Sequence, residues 1–145
     1  MIKDKIIGFC ITGSFSTFKH ILKQIRLLVE DGAIVIPIMS FNTYNLDTKY
    51  GKSKDFVRKI EEITKHKVIH TIQEAEDIYK KYNTDILAII PCSGNTIAKL
   101  SHGISDTPVL VAVKSHLRSE NNIVIGISTS DALSTNAENI RKIIK

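Results

Sequence analysis

Clusters of small polar residues follow apolar runs in this chain of 145 residues. The run at 86–90 leads into Pro91-Cys92-Ser93-Gly94-Asn95-Thr96, where hydroxyl and amide groups stand beside a glycine. If a helix begins here, Ser93, Asn95 or Thr96 can cap it, and its unpaired N–H groups suit a phosphate or a carboxylate. Ser93 and Gly94 are small enough to let a flat ligand approach the backbone. This stretch is the first candidate for a binding site.

The same pattern recurs after the other apolar runs. Because the carboxyl ends of parallel strands meet at one edge of a sheet, we expect the clusters to converge there. Together they predict a pocket for a small ligand that is anionic or rich in hydroxyl groups. The clusters are Thr12-Gly13-Ser14, Ser40-Phe41-Asn42, His70-Thr71, Ser93-Gly94-Asn95, Lys114-Ser115-His116 and Ser128-Thr129-Ser130.

The elements that must position these clusters alternate between strand and helix. Apolar runs predict strands at 6–11, 33–39, 68–69, 86–90, 109–113 and 123–127. Apolar residues at three- and four-residue spacing predict helices at 17–31 and 54–65, and we expect further helices at 72–82, after 93 and near the C-terminus. The alternation predicts one α/β domain over residues 1–145, a three-layer sandwich around a mostly parallel sheet of about six strands.

The first of these turns, Thr12-Gly13-Ser14-Phe15-Ser16-Thr17, follows the first predicted strand. It does not match the dinucleotide-binding fingerprint, because no glycine follows Gly13 in the turn. Its hydroxyl groups and backbone N–H groups can hold one phosphate. An ordinary capped start of a helix explains the turn equally well, so both interpretations stay open.

Composition excludes several classes of protein. The chain is 43% hydrophobic and 24% charged, as expected of a globular protein. No apolar run approaches a transmembrane helix in length, and the N-terminus lacks a signal-peptide pattern, so we expect a cytoplasmic protein without a membrane partner. Two cysteines are too few for a disulfide framework, and no Cys/His spacing suggests a zinc site or another metal site.

The net charge of +5 favours anionic small molecules as ligands. It does not favour a nucleic acid, because the lysines alternate with glutamates on predicted helices and form no concentrated basic face with aromatic residues. A solvated helix surface is the better interpretation of these charges.

Several segments together resemble the flavoprotein family that includes phosphopantothenoylcysteine decarboxylase and the peptidyl-cysteine decarboxylases of lantibiotic synthesis. They span nearly the whole chain in the expected order, and the last two are similar to the dipicolinate synthase branch of that family. The segments are Thr12-Gly13-Ser14-Phe15, residues 68–76, residues 91–99, Lys114-Ser115-His116-Leu117-Arg118 and residues 127–133.

This resemblance implies a Rossmann-like, flavoprotein-type subunit that forms a homo-oligomer and binds FMN. It also implies a role in oxidising dihydrodipicolinate to pyridine-2,6-dicarboxylate during endospore formation, in the mother cell of a spore-forming bacterium. A second subunit that resembles nicotinamide-dependent dehydrogenases would be the partner and would carry NAD(P). The residues implied for the FMN site are Gly13, Ser14, Phe15, Ser40, Ser93, Gly94, Asn95, Ser128 and Thr129.

His70 and Asn95 match the catalytic histidine and the active-site asparagine of the decarboxylating relatives. Imidazole suits a base or a proton relay near neutral pH. From the residues alone, a capping or core histidine is the favoured interpretation of His70, and only the resemblance reverses that preference.

Lys114 and Arg118 are candidates for binding the carboxylates of a dicarboxylate substrate, since the guanidinium fork can bind a carboxylate with two hydrogen bonds. A solvated loop is the alternative interpretation of both residues. Cys92 is expected to be an inert small residue, and Lys99 and His102 are expected to be surface residues.

Two alternatives to an oxidoreductase subunit remain. The chain can be a noncatalytic partner that binds substrate or product beside a dehydrogenase subunit, or an independent FMN-dependent decarboxylase. Ser128-Thr129-Ser130-Asp131 stands where the decarboxylases carry a proline-methionine-asparagine segment, which argues against decarboxylation of a cysteine-derived substrate. Family members also continue beyond the last predicted helix, so the resemblance implies that this chain lacks a C-terminal extension.

Overall fold

A computed structural model describes residues 2–13, 17–49, 51–128 and 134–143 of the chain. In this part of the chain the sheet has four strands, all parallel, in the order β2-β1-β3-β4. The strands are β1 (Ile6–Ile11), β2 (Ile34–Met39), β3 (Ile86–Ser93) and β4 (Ile123–Ser128).

Helices connect the strands, as the alternating pattern predicts. The predicted helix at 72–82 is two short helices that meet at Asp77. The helices are α1 (Phe18–Glu30), α2 (Phe41–Asn45), α3 (Ser53–Thr64), α4 (Ile72–Glu76), α5 (Ile78–Tyr82), α6 (Gly94–Ser101), α7 (Pro108–Leu117) and α8 (Ala137–Ile143).

Helices cover both faces of the sheet, so the three-layer α/β prediction is confirmed. Side chains of β1 alternate between the layers: Phe9 and Ile11 pack with α1 and α3, whereas Cys10 packs with α6 and α7. Such two-sided burial explains why the strands are almost continuously apolar.

The prediction of about six strands is wrong, because the described residues form four. The run at 109–113 lies inside α7, whose first turn is capped by Thr107 and begins with Pro108, a common first residue of a helix. The run at 68–69 makes only a single parallel bridge, between Ile38 and Ile69.

Strand β4 lies at one edge of the sheet formed by the described residues. It carries no charged side chain, and Val124 and Ile127 are 49% and 44% exposed. On one side Ile123, Ile125 and Ile127 line an apolar cleft against α6 and α8.

No helix in the described part of the chain is long and apolar enough to cross a membrane.

Candidate functional site

A cavity of about 400 Å³ opens where β1, β2 and β3 end. Its walls come from these three strand ends and from the first turns of α2, α6 and α7, so three of the predicted polar clusters do converge. The lining residues are Thr12, Gly13, Ser40, Phe41, Asn42, Ser93, Asn95, Thr96, Lys99, Thr107 and Leu110.

The hydroxyl group of Thr12 joins the ends of β1 and β3 beneath this cavity. Thr12 is 1% exposed, and its Oγ1 donates to Pro91 O at 2.8 Å and accepts from Ser93 N at 2.9 Å. Ser93 then caps α6, because its Oγ accepts from Thr96 N at 3.2 Å. The buried Thr12 hydroxyl thereby determines where the N-terminus of α6 lies.

Two further helices begin at the cavity with a capping hydroxyl. Ser40 Oγ accepts from Thr43 N at 3.3 Å at the start of α2, and Thr107 Oγ1 accepts from Leu110 N at 3.2 Å at the start of α7. Helix N-termini carry partial positive charge, so three of them around one cavity favour an anionic group. The capping role predicted for Ser93 is confirmed, whereas Thr107 was missed because its segment was interpreted as a strand.

Asn95 projects from the first turn of α6 into the open part of the site. It is exposed, and its side chain makes no hydrogen bond to any described residue. Its amide is therefore available to a ligand. Gly94, the first residue of the same helix, is half-buried.

Gly13 provides close access to the backbone at the end of β1. Among the described residues, a Cβ added at Gly13 would have only Ser93 Cβ within 4 Å, at 4.0 Å, and it would project toward the cavity that Gly13 and Ser93 line. The missing side chain therefore leaves space that a ligand can fill.

His70 follows the short bridge at Ile69 and lies beside α2, whose first residues line the cavity; His70 itself is not among the lining residues. Its ring stacks on Tyr44 with centroids 3.9 Å apart and planes 4° apart. His70 Nδ1 lies 3.2 Å from Val68 O and 3.6 Å from the carboxylate of Glu74. Since a carbonyl only accepts, Nδ1 carries the proton in the neutral ring, and Nε2 keeps its lone pair.

Glu74 is held beside His70 by the start of α4. Thr71 Oγ1 accepts from Glu74 N at 3.1 Å and lies 2.9 Å from Glu74 Oε1, which also accepts from His70 N at 3.3 Å. The imidazole therefore has a fixed orientation, with a stacked ring on one side and a carboxylate near one nitrogen.

Lys99 lines the cavity one helical turn after Asn95, on the same face of α6. Its ammonium group lies 3.1 Å from both carboxylate oxygens of Asp106. Lys99 is half-buried and lines the cavity, whereas His102 is exposed as predicted.

The segment from Lys114 to Arg118 lies at the other end of the sheet. It forms the end of α7, where His116 contacts Thr84 and Asn122, the residues that precede β3 and β4. The eight residues of β3 span about 25 Å, so within one chain Lys114 and Arg118 are far from the cavity. Both are exposed, and their predicted role in binding substrate stays a prediction.

The remaining predicted residues are placed as follows. Ser128 ends β4 in register with Ser93 and is half-buried. Ser14, Phe15 and Thr129 lie outside the described residues.

Both cysteines are buried and free. Burial raises the pKa of Cys92 to about 12, and burial together with the neighbouring Cys92 raises the pKa of Cys10 further. Neither thiol ionises near neutral pH, which agrees with an inert role for Cys92. The described residues also contain no cluster of His, Cys, Asp or Glu that could hold a metal ion.

Comparison with known proteins identifies the family to which this architecture belongs. A family model described as "Flavoprotein" matches residues 1–142. The chain belongs to the flavoprotein family. The resemblance inferred from the sequence motifs is thereby confirmed.

Within the flavoproteins, the chain is 38% identical over 143 residues to the B-type subunit of dipicolinate synthase from Bacillus subtilis (strain 168), covering 99% of this chain and 72% of that protein. The crystal structure of the B-type subunit of dipicolinate synthase from Bacillus halodurans C matches with a TM-score of 0.87 and 36% identity, over 99% of this chain and 73% of that one. A dodecameric FMN-dependent UbiX-like decarboxylase from Escherichia coli O157:H7 shares the fold, with a TM-score of 0.75 and 20% identity over 96% of this chain and 75% of that one.

The residues around the cavity suit FMN in size and chemistry. A volume of about 400 Å³ lies in the range of small-molecule pockets. The helix N-termini capped by Ser40, Ser93 and Thr107 suit a phosphate, and Gly13 leaves room for a flat ring.

Proposed function

We propose that this chain is the flavin-carrying subunit of a dipicolinate synthase and takes part in oxidising dihydrodipicolinate to dipicolinate. The observation that carries the proposal is the 38% identity to a dipicolinate synthase subunit across 99% of the chain. The cavity at the strand ends supports the proposal as a candidate binding site for FMN. Its capped helix N-termini suit an anionic group, and the backbone at Gly13 leaves room for a flat ring.

In this proposal one group of residues holds the cofactor, and a second group, around His70, handles the proton. Ser14, Phe15 and Thr129 complete the first group from outside the described residues. FMN, when bound, supplies an acceptor for the hydride that leaves the substrate ring. The described members of the group are Gly13, Ser40, Ser93, Gly94, Asn95 and Ser128.

His70 takes the proton that leaves when the ring becomes aromatic. The overall step removes a hydride and a proton from dihydrodipicolinate, so a base is needed as well as a hydride acceptor. Nε2 of His70 keeps its lone pair because Nδ1 donates to Val68 O. Glu74, 3.6 Å from Nδ1, stabilises the imidazolium that forms, and the ring of Tyr44 keeps the imidazole in place. Asn95 orients the substrate beside the cofactor through its unpaired amide.

The proposal includes partners. A subunit that resembles nicotinamide-dependent dehydrogenases would carry NAD(P) and accept the electrons, since residues 12–17 do not match the dinucleotide-binding fingerprint. The flavin subunit would form a homo-oligomer and work in the mother cell during endospore formation.

Addition of FMN to the purified chain tests the proposal directly. After desalting, visible absorbance and fluorescence are recorded with and without dipicolinate. We expect flavin to be retained and its spectrum to shift with dipicolinate, which would place both ligands in one pocket. A colourless protein that dipicolinate still stabilises against heat would support a noncatalytic binding partner instead. Release of carbon dioxide by the chain alone would support a decarboxylase.

His70→Asn tests the assignment of the base. The asparagine amide can still donate to Val68 O, but it has no group that can accept a proton at the position of Nε2. We expect the oxidation rate of the reconstituted complex to fall about 100-fold or more while retention of FMN is unchanged. An unchanged rate would remove His70 from the chemistry.

A further inference from the structure

Lys99 is the one cationic side chain among the described residues that line the cavity. The other lining side chains are hydroxyl, amide, apolar or absent. Its position follows from the helix, because Asn95 and Lys99 are four residues apart and share the face of α6 that looks into the site. A ligand that reaches Asn95 therefore passes close to the stem of Lys99.

The charge of Lys99 is paired with a residue that lies outside the cavity wall. Asp106 contacts the ammonium group with both oxygens at 3.1 Å, yet its side chain is 58% exposed, against 27% for Lys99. In the described residues Asp106 has no other hydrogen-bond partner. The carboxylate is therefore free to rotate into water once another anion takes its place.

The turn between α6 and α7 brings Asp106 back to Lys99. Gly103 has a φ of +71°, which lets the chain reverse after α6, and Ile104 N donates to Lys99 O at 2.9 Å. Asp106 directly precedes Thr107, the cap of α7 at the cavity. The ion pair therefore lies at the mouth of the site and not on a remote surface.

We infer that Asp106 is a displaceable counter-ion and that Lys99 binds an anionic group of the ligand, a phosphate or a carboxylate, when that group enters the cavity. The inference deepens the proposed function and takes its choice of ligands from it. An exposed ion pair contributes little net free energy, so exchanging Asp106 for a ligand oxygen costs little. A contact to the more buried ammonium group would add both affinity and selectivity for anions.

Two substitutions at the pair should act in opposite directions on affinity. Asp106→Asn removes the competing carboxylate, so we expect anions to bind about two to five times tighter. Lys99→Gln removes the cation, so we expect binding about ten times weaker, and Lys99→Arg should keep most of the affinity. Calorimetric titration with FMN, riboflavin, dipicolinate and inorganic phosphate measures each change.

The ion pair between Glu138 and Arg141 on α8 provides matched controls. Both side chains are exposed and 3.3 Å apart, and the pair lies outside the residues that line the cavity. Glu138→Gln changes the net charge as Asp106→Asn does, and Arg141→Gln changes it as Lys99→Gln does. We expect neither control to alter affinity, so long-range charge effects are separated from the contact.

A purely structural pair predicts a different result. If the contact only ties the turn to α6, both Asp106→Asn and Lys99→Gln lower thermal stability and both weaken binding, which overturns the inference. Equal affinity of the wild-type chain and both variants for every anion also overturns it. The opposite shifts for FMN and phosphate, but not for riboflavin or dipicolinate, would identify a phosphate. The same shifts for dipicolinate alone would identify a carboxylate.

The experiment separates this inference from the proposed function. If the wild-type chain binds neither FMN nor dipicolinate but binds inorganic phosphate with the opposite shifts, the function fails and the anion site stands. If FMN and dipicolinate bind and the variants do not change their affinity, the function stands and the anion site fails. If no anion binds to the wild-type chain, both fail.

Discussion

The two ends of the sheet carry similar polar residues but use them differently. At the carboxyl end, Ser93 and Asn95 face an open cavity, and Asn95 has no hydrogen-bond partner among the described residues. At the amino end, His116 is 0% exposed and both ring nitrogens are bonded, Nδ1 to the hydroxyl group of Thr84 at 2.7 Å and Nε2 to Asn122 O at 3.1 Å. The first end is available to a ligand, and the second is complete without one.

This difference shows what separates a binding site from a structural network of the same composition. Nε2 of His116 donates to a carbonyl, so Nδ1 accepts from Thr84, and Asn121 in turn donates to Thr84 O at 3.2 Å. Each group satisfies its neighbour, and His116 and Thr84 are buried away from water, which rigidifies the end of α7 and the start of β4. A functional role requires polar groups that remain unsatisfied or reachable, as around Gly13 and Asn95.

The largest expected effect on stability comes from removing the hydrogen bonds of His116 at the amino end of the sheet. His116→Leu leaves the buried Thr84 hydroxyl group without its partner and removes one of the two donors to Asn122 O, which still accepts from Leu87 N. We therefore expect the free energy of unfolding to fall by about 2–4 kcal/mol. The folded variant should keep its affinity for FMN, because the change lies about 25 Å away along β3. Urea unfolding and flavin titration measure the two quantities.

Thr84→Val in the His116→Leu background is the control for that measurement. Removing both partners costs less than leaving one alone, so the double variant should lose less than the sum of the two single losses. Simple additivity would contradict a coupled network.

The next largest effect on stability should appear at Thr12, which lies at the carboxyl end of the sheet but is itself buried. Thr12→Val removes the acceptor for Ser93 N, and we expect a loss of about 1–3 kcal/mol in unfolding free energy together with weaker FMN binding, since the start of α6 moves. Thr12→Ser keeps the hydroxyl group and should restore both properties. A lower free energy of unfolding with unchanged FMN affinity would show that the hydrogen bonds of Thr12 to Pro91 and Ser93 do not position the site.

A smaller change, confined to binding, is expected at Gly13. Gly13→Val places a side chain in the cavity toward Ser93, so affinity for FMN should fall about tenfold while the melting temperature stays near that of the wild type. Thermal unfolding without ligand and flavin titration distinguish the two. A large drop in melting temperature would mean that Gly13 serves the fold and not the ligand.

The smallest effect is expected for Lys114→Gln combined with Arg118→Gln. Both side chains are exposed at the end of α7 that is distant from the cavity, so dipicolinate affinity should change less than twofold, about the scale of an exposed charge. Loss of dipicolinate binding would support the substrate role predicted from the sequence and would require another chain to bring these residues to the site.

The sequence was sufficient to predict the three layers and the polar residues at the ends of β1, β2 and β3. Amphipathic helices and strands buried on both faces have distinct hydrophobic patterns. The prediction failed for α7, in which every residue from Pro108 to Val113 is buried. A helix without an exposed face shows no period, and its valines favour a strand. The Thr107-Pro108 pair was the available signal, since a capping hydroxyl followed by proline typically begins a helix.

That error also placed the polar cluster Lys114-Ser115-His116, which lies in the last turn of α7, at the wrong end of the sheet. A strand at 109–113 would have ended beside Ser93, whereas a helix returning along the sheet ends beside Thr84. The position of Lys99 at the cavity was missed for a different reason: no local pattern reveals that the turn after Gly103 brings Asp106 back to its ammonium group. The role proposed for Lys99 therefore rests on tertiary contacts that the sequence does not show.

Strand β4 has a consequence for how the protein behaves in concentrated solution. Along its outer edge the described residues place no neighbouring strand, and Ile123–Ser128 lacks the lysine, proline or other charge that commonly protects such an edge. With Val124 and Ile127 nearly half exposed, the strand is a template on which other extended chains can add. Aggregation should therefore begin at this edge, and a lysine in place of Val124 is the change that would delay it.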